Sequence, residues 1–325
     1  MFIKISNKSY IQSPQLDFMK KTFLAFILIG LALDLTAQIN PSYQEIIYGR
    51  KDGIALTMLE LKPNGKSNGK AIVRVIAGNW LSSYEWASSP DVLEISKTLY
   101  TDKGYTVFEV IVGSQPRYAI PDEINDVKRA VRYIRYNSKQ LGIDPSHIGI
   151  EGSSAGGNLS LAVATTDDKI DTASKDPVDH VSSRVQAVAV LYPPTDFLNW
   201  GGAGNNVISA RSLQLQFHVY GAFDFRKFTD STTTYDFVSD NAARDKIGRE
   251  ISPIYSVSSD DPPVFIIHGD ADPTVPLQQS QTIIAKFKEA GVPNNFIIKK
   301  GAKHNFSDME PEVKQFTDWF DKYLK

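Results

Sequence analysis

The sequence GIEGSSAGGNLSLAV, residues 149–163, sets two serines side by side among glycines. The pattern G-x-S-x-G fits only Ser154, because glycines lie two positions before and after it, whereas Ser153 has Ala155 two positions later. The apolar stretch HIGIEG before it predicts a strand, and SAGGNLSLAVA after it predicts a helix. A serine on a sharp strand-to-helix turn leaves no room for side chains at the flanking positions, which glycine satisfies. The stretch therefore predicts Ser154 as a nucleophile.

Segments with strand and helix patterns alternate along most of the chain. Strands are predicted over Ala55–Leu61 and Ala71–Ile76 and in the apolar runs YTVFEVIV, VQAVAVLYPP, PVFIIHGD and NFIIKKG. Helices are predicted over Asp91–Lys103, Ile120–Ile134, Leu277–Ala290 and Glu312–Tyr323. Continuous apolar strands suit parallel strands buried on both faces, so the alternation predicts an α/β fold with a mostly parallel central sheet and helices on both faces. Irregular stretches at 167–183 and 200–249 are predicted to be lid-like excursions.

The strand–turn–helix context of Ser154 resembles the nucleophile turn of the α/β-hydrolase superfamily. The stretches GIDPSHIGIEGSSAGGNLS and YAIPDEINDVKRAVRYIR are similar to bacterial carboxylesterases of the hormone-sensitive-lipase and acetylxylan/feruloyl-esterase-like groups. The resemblance extends over nearly the whole chain from about residue 45. It implies an α/β-hydrolase fold and a catalytic triad that runs Ser, then Asp or Glu, then His along the chain.

That order selects a base among the five histidines. His304, in KKGAKHNFSD, is the only one that follows the last predicted strand on a loop before the final helix. His147 precedes the nucleophile, and His180 and His218 lie in the irregular stretches, before any suitable acid. His268 ends the strand PVFIIHGD, where a structural hydrogen-bonding role is expected. The resemblance therefore implies His304 as the general base.

Two aspartates, Asp270 and Asp272, follow that same strand, and their position alone selects neither. The stretch HGDADPTVP resembles the acid loop H-G-x-x-D-x-x-V-P of esterases and serine peptidases with this fold, and that alignment selects Asp272. Asp270 is then expected to brace the loop. In this role Asp272 would fix the tautomer and orientation of His304 and stabilise its imidazolium.

The related esterases carry His-Gly-Gly-Gly-Trp after an early strand, where this chain has Ile76-Ala77-Gly78-Asn79-Trp80. That loop presents backbone amides to the oxyanion, so its donors survive a change of side chains if the loop geometry survives. Asparagine tolerates left-handed dihedral angles better than most residues. The resemblance implies the oxyanion-hole donors Gly78, Asn79 and, directly after the nucleophile, Ala155. Nearby aromatic residues fit either the wall of an acyl pocket or core packing: Trp80, Tyr84, Tyr192 and Phe197.

The composition is that of a soluble globular protein, with 325 residues, 42% apolar and 22% charged. A formal net charge of -2 offers no basic field for phosphates, so no nucleic-acid partner is predicted. The chain has no cysteine, which excludes disulfides, thiolate metal sites and a cysteine nucleophile. It also lacks H-E-x-x-H, and the aspartates of GDAD have no matching histidine cluster. No metal and no cofactor is predicted.

The amino-terminal region has the pattern of an export signal. The segment MKKTFLAFILIGLALDLTAQ, which begins at Met19, has two lysines, a short apolar run and a small-residue cleavage site before Gln38. We predict a non-native upstream extension over residues 1–18, a signal peptide over 19–37 and a single α/β-hydrolase domain over 38–325. The apolar run is short for a membrane span, so the mature protein is predicted to be periplasmic or extracellular, without stable membrane insertion.

Together these features predict a secreted serine hydrolase that cleaves carboxylic esters, with short-chain acyl or acetyl groups expected. The likeness to acetylxylan esterases implies small-molecule or saccharide esters as substrates, including esters derived from polysaccharides. A prolyl-oligopeptidase-like peptidase is one alternative, although the chain has no room for a propeller domain. A non-catalytic binding protein on a hydrolase scaffold is another, because the loop IAGNW departs from the related esterases.

Overall fold

A computed structural model describes residues 42–229 and 233–325 of the chain. The predicted upstream extension and signal peptide lie outside the described residues. Residues 43–325 belong to one structural unit, built on an eight-stranded sheet in the order β1-β2-β4-β3-β5-β6-β9-β10. Its strands are β1 Gln44–Lys51, β2 Ile54–Leu61, β3 Ala71–Ile76, β4 Thr106–Ile111, β5 Ile148–Ser153, β6 Ala187–Leu191, β9 Val264–Gly269 and β10 Asn294–Lys299.

The mostly parallel sheet predicted from the apolar runs is confirmed. All pairings from β4 through β10 in that order are parallel, and only the pairs β1–β2 and β2–β4 are antiparallel. The central strands are buried along their whole length, as strands covered on both faces require. Edge strand β1 was not predicted, since within it only Ile46 and Tyr48 are buried.

Helices cover both faces of the sheet. They are α1 Tyr84–Ala87, α2 Pro90–Leu99, α3 Ile120–Tyr136, α4 Ser138–Leu141, α5 Ala155–Thr165, α6 Arg211–Gln216, α7 Asn241–Glu250, α8 Gln278–Glu289, α9 Glu310–Val313 and α10 Gln315–Tyr323. One hydrophobic layer joins α3, α5 and α8 to alternate strand residues such as Val73 and Val188. The other joins α2 and α10 to the intervening residues, such as Ile72 and Ala187. No helix of the described ranges is long and apolar enough to cross a membrane.

The two predicted excursions are less irregular than expected. Residues 167–183 contain a short 3-10 turn, and residues 200–249 contain α6, most of α7 and a two-stranded hairpin, β7 Arg226–Thr229 with β8 Thr234–Phe237. A 3-10 turn at Tyr220–Phe223 directly precedes that hairpin. Phe223, the last residue of this 3-10 turn, lines the cavity next to Ser154, so the second excursion supplies part of the candidate site.

Candidate active site

Ser154 lies on the turn between β5 and α5, at the carboxyl edge of the sheet. Its backbone dihedral angles are φ 52° and ψ -120°, a conformation that L-residues adopt only under constraint. The flanking glycines are required by contact distances. A Cβ atom at Gly152 would lie 2.4 Å from the carbonyl of Gly156, and one at Gly156 would lie 2.4 Å from the carbonyl of Val75. The G-x-S-x-G spacing therefore has a direct steric cause.

Three side chains from distant parts of the sequence form a continuous hydrogen-bond chain. The hydroxyl Oγ of Ser154 lies 2.9 Å from Nε2 of His304. Nδ1 of that histidine lies 2.7 Å from Oδ2 of Asp272. Asp272 follows β9 and His304 follows β10, so neighbouring parallel strands bring both loops to the edge where β5 ends. The structure thus places together the three residues that the sequence predicts as a triad.

The Asp272 carboxylate has partners on both oxygens. Oδ1 accepts hydrogen bonds from the amides of Thr274 at 2.8 Å and Val275 at 2.9 Å, and Oδ2 lies 3.4 Å from Nε2 of His268. Burial favours protonation of this carboxyl group, but hydrogen bonds from both histidines and from the Val275 amide outweigh it and hold the pKa of Asp272 well below its usual range. The ionised carboxylate accepts only, so Nδ1 of His304 carries its proton.

His268 has the structural role predicted for it. Its side chain is fully buried, with Nε2 3.0 Å from the carbonyl of Val275 and Nδ1 2.7 Å from Oγ of Ser280. Since a carbonyl only accepts, Nε2 is the donor. Asp270 lies outside the hydrogen-bond chain of Ser154, His304 and Asp272. It accepts a hydrogen bond from the Gly301 amide at 2.6 Å, which joins the loop after β9 to the loop after β10.

Tyr192, directly after β6, packs on the imidazole ring of His304. Its ring centroid lies 4.3 Å from that of His304, with 49° between the ring planes. Its backbone φ is 37°, which is unusual for a bulky residue and disfavoured before Pro193. Of the two alternatives left open for Tyr192, the structure shows core packing, since the residue is buried in the second hydrophobic layer and does not line the cavity. No sequence pattern indicated its contact with His304.

The loop implied as the oxyanion hole is a two-residue turn. Asn79 and Trp80 both have positive φ, 50° and 55°, and the amides of Gly78 and Leu81 each donate to the other residue's carbonyl, at 3.0 and 2.8 Å. Positive φ at both central positions is typical of a type I′ turn. The Gly78 amide is therefore engaged within the turn. Across residues 42–229 and 233–325, no acceptor pairs with the amides of Asn79, Trp80 or Ala155.

A small apolar cavity of about 30 Å³ adjoins Ser154 and this turn. Its wall contains several aromatic side chains: Trp80, Phe197, Trp200, Phe217 and Phe223. The rings of Trp80, Phe197 and Phe223 pack on one another, with centroids 5.3 to 5.7 Å apart. Trp80 and Phe197 are thus wall residues, whereas Tyr84 is exposed and contacts Tyr43 instead. The part of the chain that the structure describes has no group of three or more His, Asp or Glu side chains that could hold a metal ion.

This chain is similar to known esterases in sequence. The BD-FAE family model matches residues 59–287. Esterase LipQ of Mycobacterium tuberculosis is 28% identical over 211 residues, which cover 65% of this chain and 45% of that protein. Esterase LipC of the same organism is 22% identical over 272 residues, with 81% and 59% covered. This chain therefore spans about half the length of these curated relatives.

Two solved structures share the fold over most of the chain. A truncated carbohydrate esterase from gut microbiota has a TM-score of 0.64 at 26% identity and covers 87% of this chain and 98% of its own. An acetyl ester-xyloside bifunctional hydrolase from Caldicellulosiruptor lactoaceticus has a TM-score of 0.63 at 22% identity, with 88% and 96% covered. With the family match over residues 59–287, the sheet order and the serine turn, this chain belongs to the BD-FAE family of the α/β-hydrolase superfamily.

Proposed function

We propose that the protein is a carboxylic ester hydrolase that works through an acyl-enzyme on Ser154. The observation that carries the proposal is the Ser154–His304–Asp272 chain, with its two contacts of 2.9 and 2.7 Å. Esterases among the relatives and structural neighbours support the reaction class. The intact geometry also argues against a non-catalytic binding protein, the alternative that the altered loop IAGNW raised.

In this mechanism Oγ of Ser154 attacks the acyl carbon of the ester while Nε2 of His304 takes the serine proton. Nε2 is free to accept the serine proton because the N–H of the neutral ring is on Nδ1, where it donates to Asp272. The imidazolium then protonates the leaving alkoxide and the acyl-enzyme remains. A water molecule, deprotonated by His304, attacks that acyl-enzyme, and Ser154 recovers its proton as the carboxylic acid leaves.

The oxyanion formed in both steps needs preorganised donors. We assign this role to the amides of Asn79 and Ala155, which have no acceptor within the described residues and adjoin Ser154. Ala155 is the first residue of α5, where helix geometry leaves amides unpaired and favours negative charge. The Gly78 amide has no role in this assignment, because it donates to Leu81.

The cavity beside Ser154 favours a short acyl group. A volume of about 30 Å³ corresponds to roughly two water molecules, which suits an acetyl methyl group better than a long chain. The names of two structural neighbours, a carbohydrate esterase and an acetyl ester-xyloside hydrolase, support acetyl groups on saccharides as the substrate class. We further propose, from the signal pattern before Gln38, that the enzyme acts in the periplasm or outside the cell.

The test is hydrolysis of p-nitrophenyl acetate through octanoate by residues 38–325, with Ser154→Ala as the control. We expect acetate to be the preferred substrate and the control to lose turnover. Fluorophosphonate labelling of the wild type but not of Ser154→Ala would separate a selective esterase from a binding protein. No label and no turnover would refute the proposed function. Acetate release from acetylated xylan tests the substrate class. Mass spectrometry of the protein recovered outside the cytoplasm, with Gln38 expected as its first residue, tests the localisation.

A further inference from the structure

The buried side chain of Gln115, in the segment after β4, connects two parts of the candidate site. It is 7% exposed. Its amide forms four hydrogen bonds, with the carbonyls of Asn79 (2.5 Å) and His218 (3.0 Å) and with the backbone amides of Gly221 (2.9 Å) and Ala222 (3.2 Å). A primary amide has two N–H donors and one oxygen with two lone pairs, so this side chain is fully used.

The first part is the Asn79–Trp80 turn. Gln115 contacts both carbonyls of the turn that point outward. Its side chain donates to the Asn79 carbonyl, and its backbone amide donates to the Trp80 carbonyl at 3.0 Å. The hydrogen bonds between Gly78 and Leu81 close the turn but leave these two carbonyls unpaired. The Asn79 carbonyl belongs to the peptide unit directly after the assigned donor, the Asn79 amide, so a partner for this carbonyl fixes the planar unit that follows the donor.

The turn requires such support. Positive φ at a tryptophan persists only where surrounding contacts determine the backbone fully. Oxyanion donors in turn contribute to catalysis only when held close to the productive geometry, within about 0.5 Å. A turn that relaxed toward ordinary dihedral angles would move its free amides away from the oxyanion while leaving the triad intact.

The second part is the wall of the acyl cavity. Gly221 and Ala222, held by Oε1 of Gln115, lie between the cavity-lining residues Val219 and Phe223. A Cβ atom at Gly221 would lie 2.8 Å from that same oxygen, which shows how closely the wall approaches the amide. One side chain therefore connects a segment of the cavity wall to the Asn79–Trp80 turn beside Ser154.

We propose that Gln115 is a positioning residue that aligns the Asn79–Trp80 turn with Ser154 and couples that turn to the acyl-cavity wall. The proposal rests on the proposed esterase function, since it concerns donors for the same oxyanion. Gln115 contacts no substrate and acts through the turn. Its loss should therefore weaken stabilisation of the tetrahedral state far more than binding of the ester.

The experiment compares Gln115→Glu and Gln115→Met with the wild type, using kcat and KM for p-nitrophenyl acetate and the inhibition constant of methylboronic acid, whose tetrahedral adduct with serine places an oxygen in the oxyanion site. Gln115→Glu keeps the acceptor for the wall but replaces the donors to the turn with an oxygen. We expect kcat to fall about 30- to 300-fold, KM to change less than about threefold, and the inhibition constant to rise by a factor similar to that for kcat.

The matched control is Gln186→Met. The Gln186 side chain accepts from the Ile148 amide at the amino edge of the sheet, at 3.0 Å, away from the candidate site. The substitution Gln186→Met should lower the melting temperature without changing kcat more than about twofold. If Gln115→Glu does not fold, Gln115→Met, which adds no charge, takes its place.

A folded Gln115 variant that keeps kcat within about threefold, or that loses kcat no more than the control does, would overturn the proposal. So would a loss that appears in KM alone. An inactive wild type would instead count against the proposed function, which separates the two failures.

Discussion

Truncation of Phe223 should enlarge the acyl cavity and shift the preferred ester from acetate toward butanoate. Phe223 is 1% exposed, and its ring centroid lies 5.7 Å from that of Trp80 and 5.3 Å from that of Phe197. These rings form part of the wall of a cavity of about 30 Å³. Butanoate would have to place two further methylenes where the wall now lies, so Phe223→Ala should remove the obstacle.

The size of the effect follows from the area that those methylenes bury. Each buried methylene contributes about 0.8 kcal/mol, so two contribute about 1.6 kcal/mol, or about 15-fold in kcat/KM. We therefore expect the butanoate-to-acetate ratio of kcat/KM to rise by about 15-fold in Phe223→Ala. The same change should lower the free energy of unfolding by about 3–5 kcal/mol, because it leaves a cavity in a packed aromatic cluster. Phe223→Leu should give a smaller shift of the ratio in the same direction.

The assay is hydrolysis of p-nitrophenyl esters from acetate to octanoate, with thermal unfolding measured alongside. Phe225→Leu is the matched control, since Phe225 is 2% exposed and packs on Phe223 at 6.2 Å but does not line the cavity. It should lose stability and keep the acetate preference. The reasoning is refuted if the wild type cleaves octanoate as well as acetate, or if a folded Phe223→Ala keeps the wild-type ratio.

Three other perturbations test separate parts of the structure. Asp272→Asn should lower kcat for p-nitrophenyl acetate about 10,000-fold at neutral pH, because an amide does not hold the imidazole of His304 in the required tautomer; a loss below about 100-fold would point to another acid. Tyr192→Leu should lower kcat about 3- to 30-fold, since the ring face stabilises the imidazolium that forms on His304 during the reaction, and Tyr192→Phe should keep kcat near the wild-type value. Burial and the charge of Asp126 raise the pKa of Glu123 well above its ordinary value, so the folded state keeps a proton that the unfolded chain releases above about pH 4. Stability therefore falls as pH rises, and Glu123→Gln should raise the melting temperature more at pH 8 than at pH 4; an equal rise at both would contradict the assignment.

The parts of the site that the sequence predicted are those with local steric or topological causes. The position of Ser154 on the strand-to-helix turn follows from the glycine spacing, because any side chain at position 152 or 156 would collide with the backbone. The location of Asp272 and His304 follows from strand order, because loops after neighbouring parallel strands meet at one edge. In both cases a short pattern determines where a side chain lies.

Other features depend on contacts between residues far apart in sequence. The Gly78 amide was a candidate oxyanion donor, but the turn closes on Leu81 and occupies it. Tyr192 reaches His304 only because its backbone leaves the extended region at the end of β6, which side-chain periodicity does not encode. The hairpin of β7 and β8 was also missed, since all but one of its residues are exposed and no buried face marks it.

The positive φ of Trp80, a tryptophan that this loop shares with the related esterases, has a physical explanation in its burial. A bulky residue at positive φ costs about 1–3 kcal/mol relative to an ordinary conformation. The indole of Trp80 is 95% buried against Phe197 and Phe223, and burial of roughly 150–250 Å² of aromatic surface contributes about 4–6 kcal/mol. Burial therefore outweighs the backbone strain, and it does so with the same ring that narrows the acyl cavity. Glycine at this position would relieve the strain but would leave the cavity open on that side, so the strained turn and the small acyl pocket have one common cause.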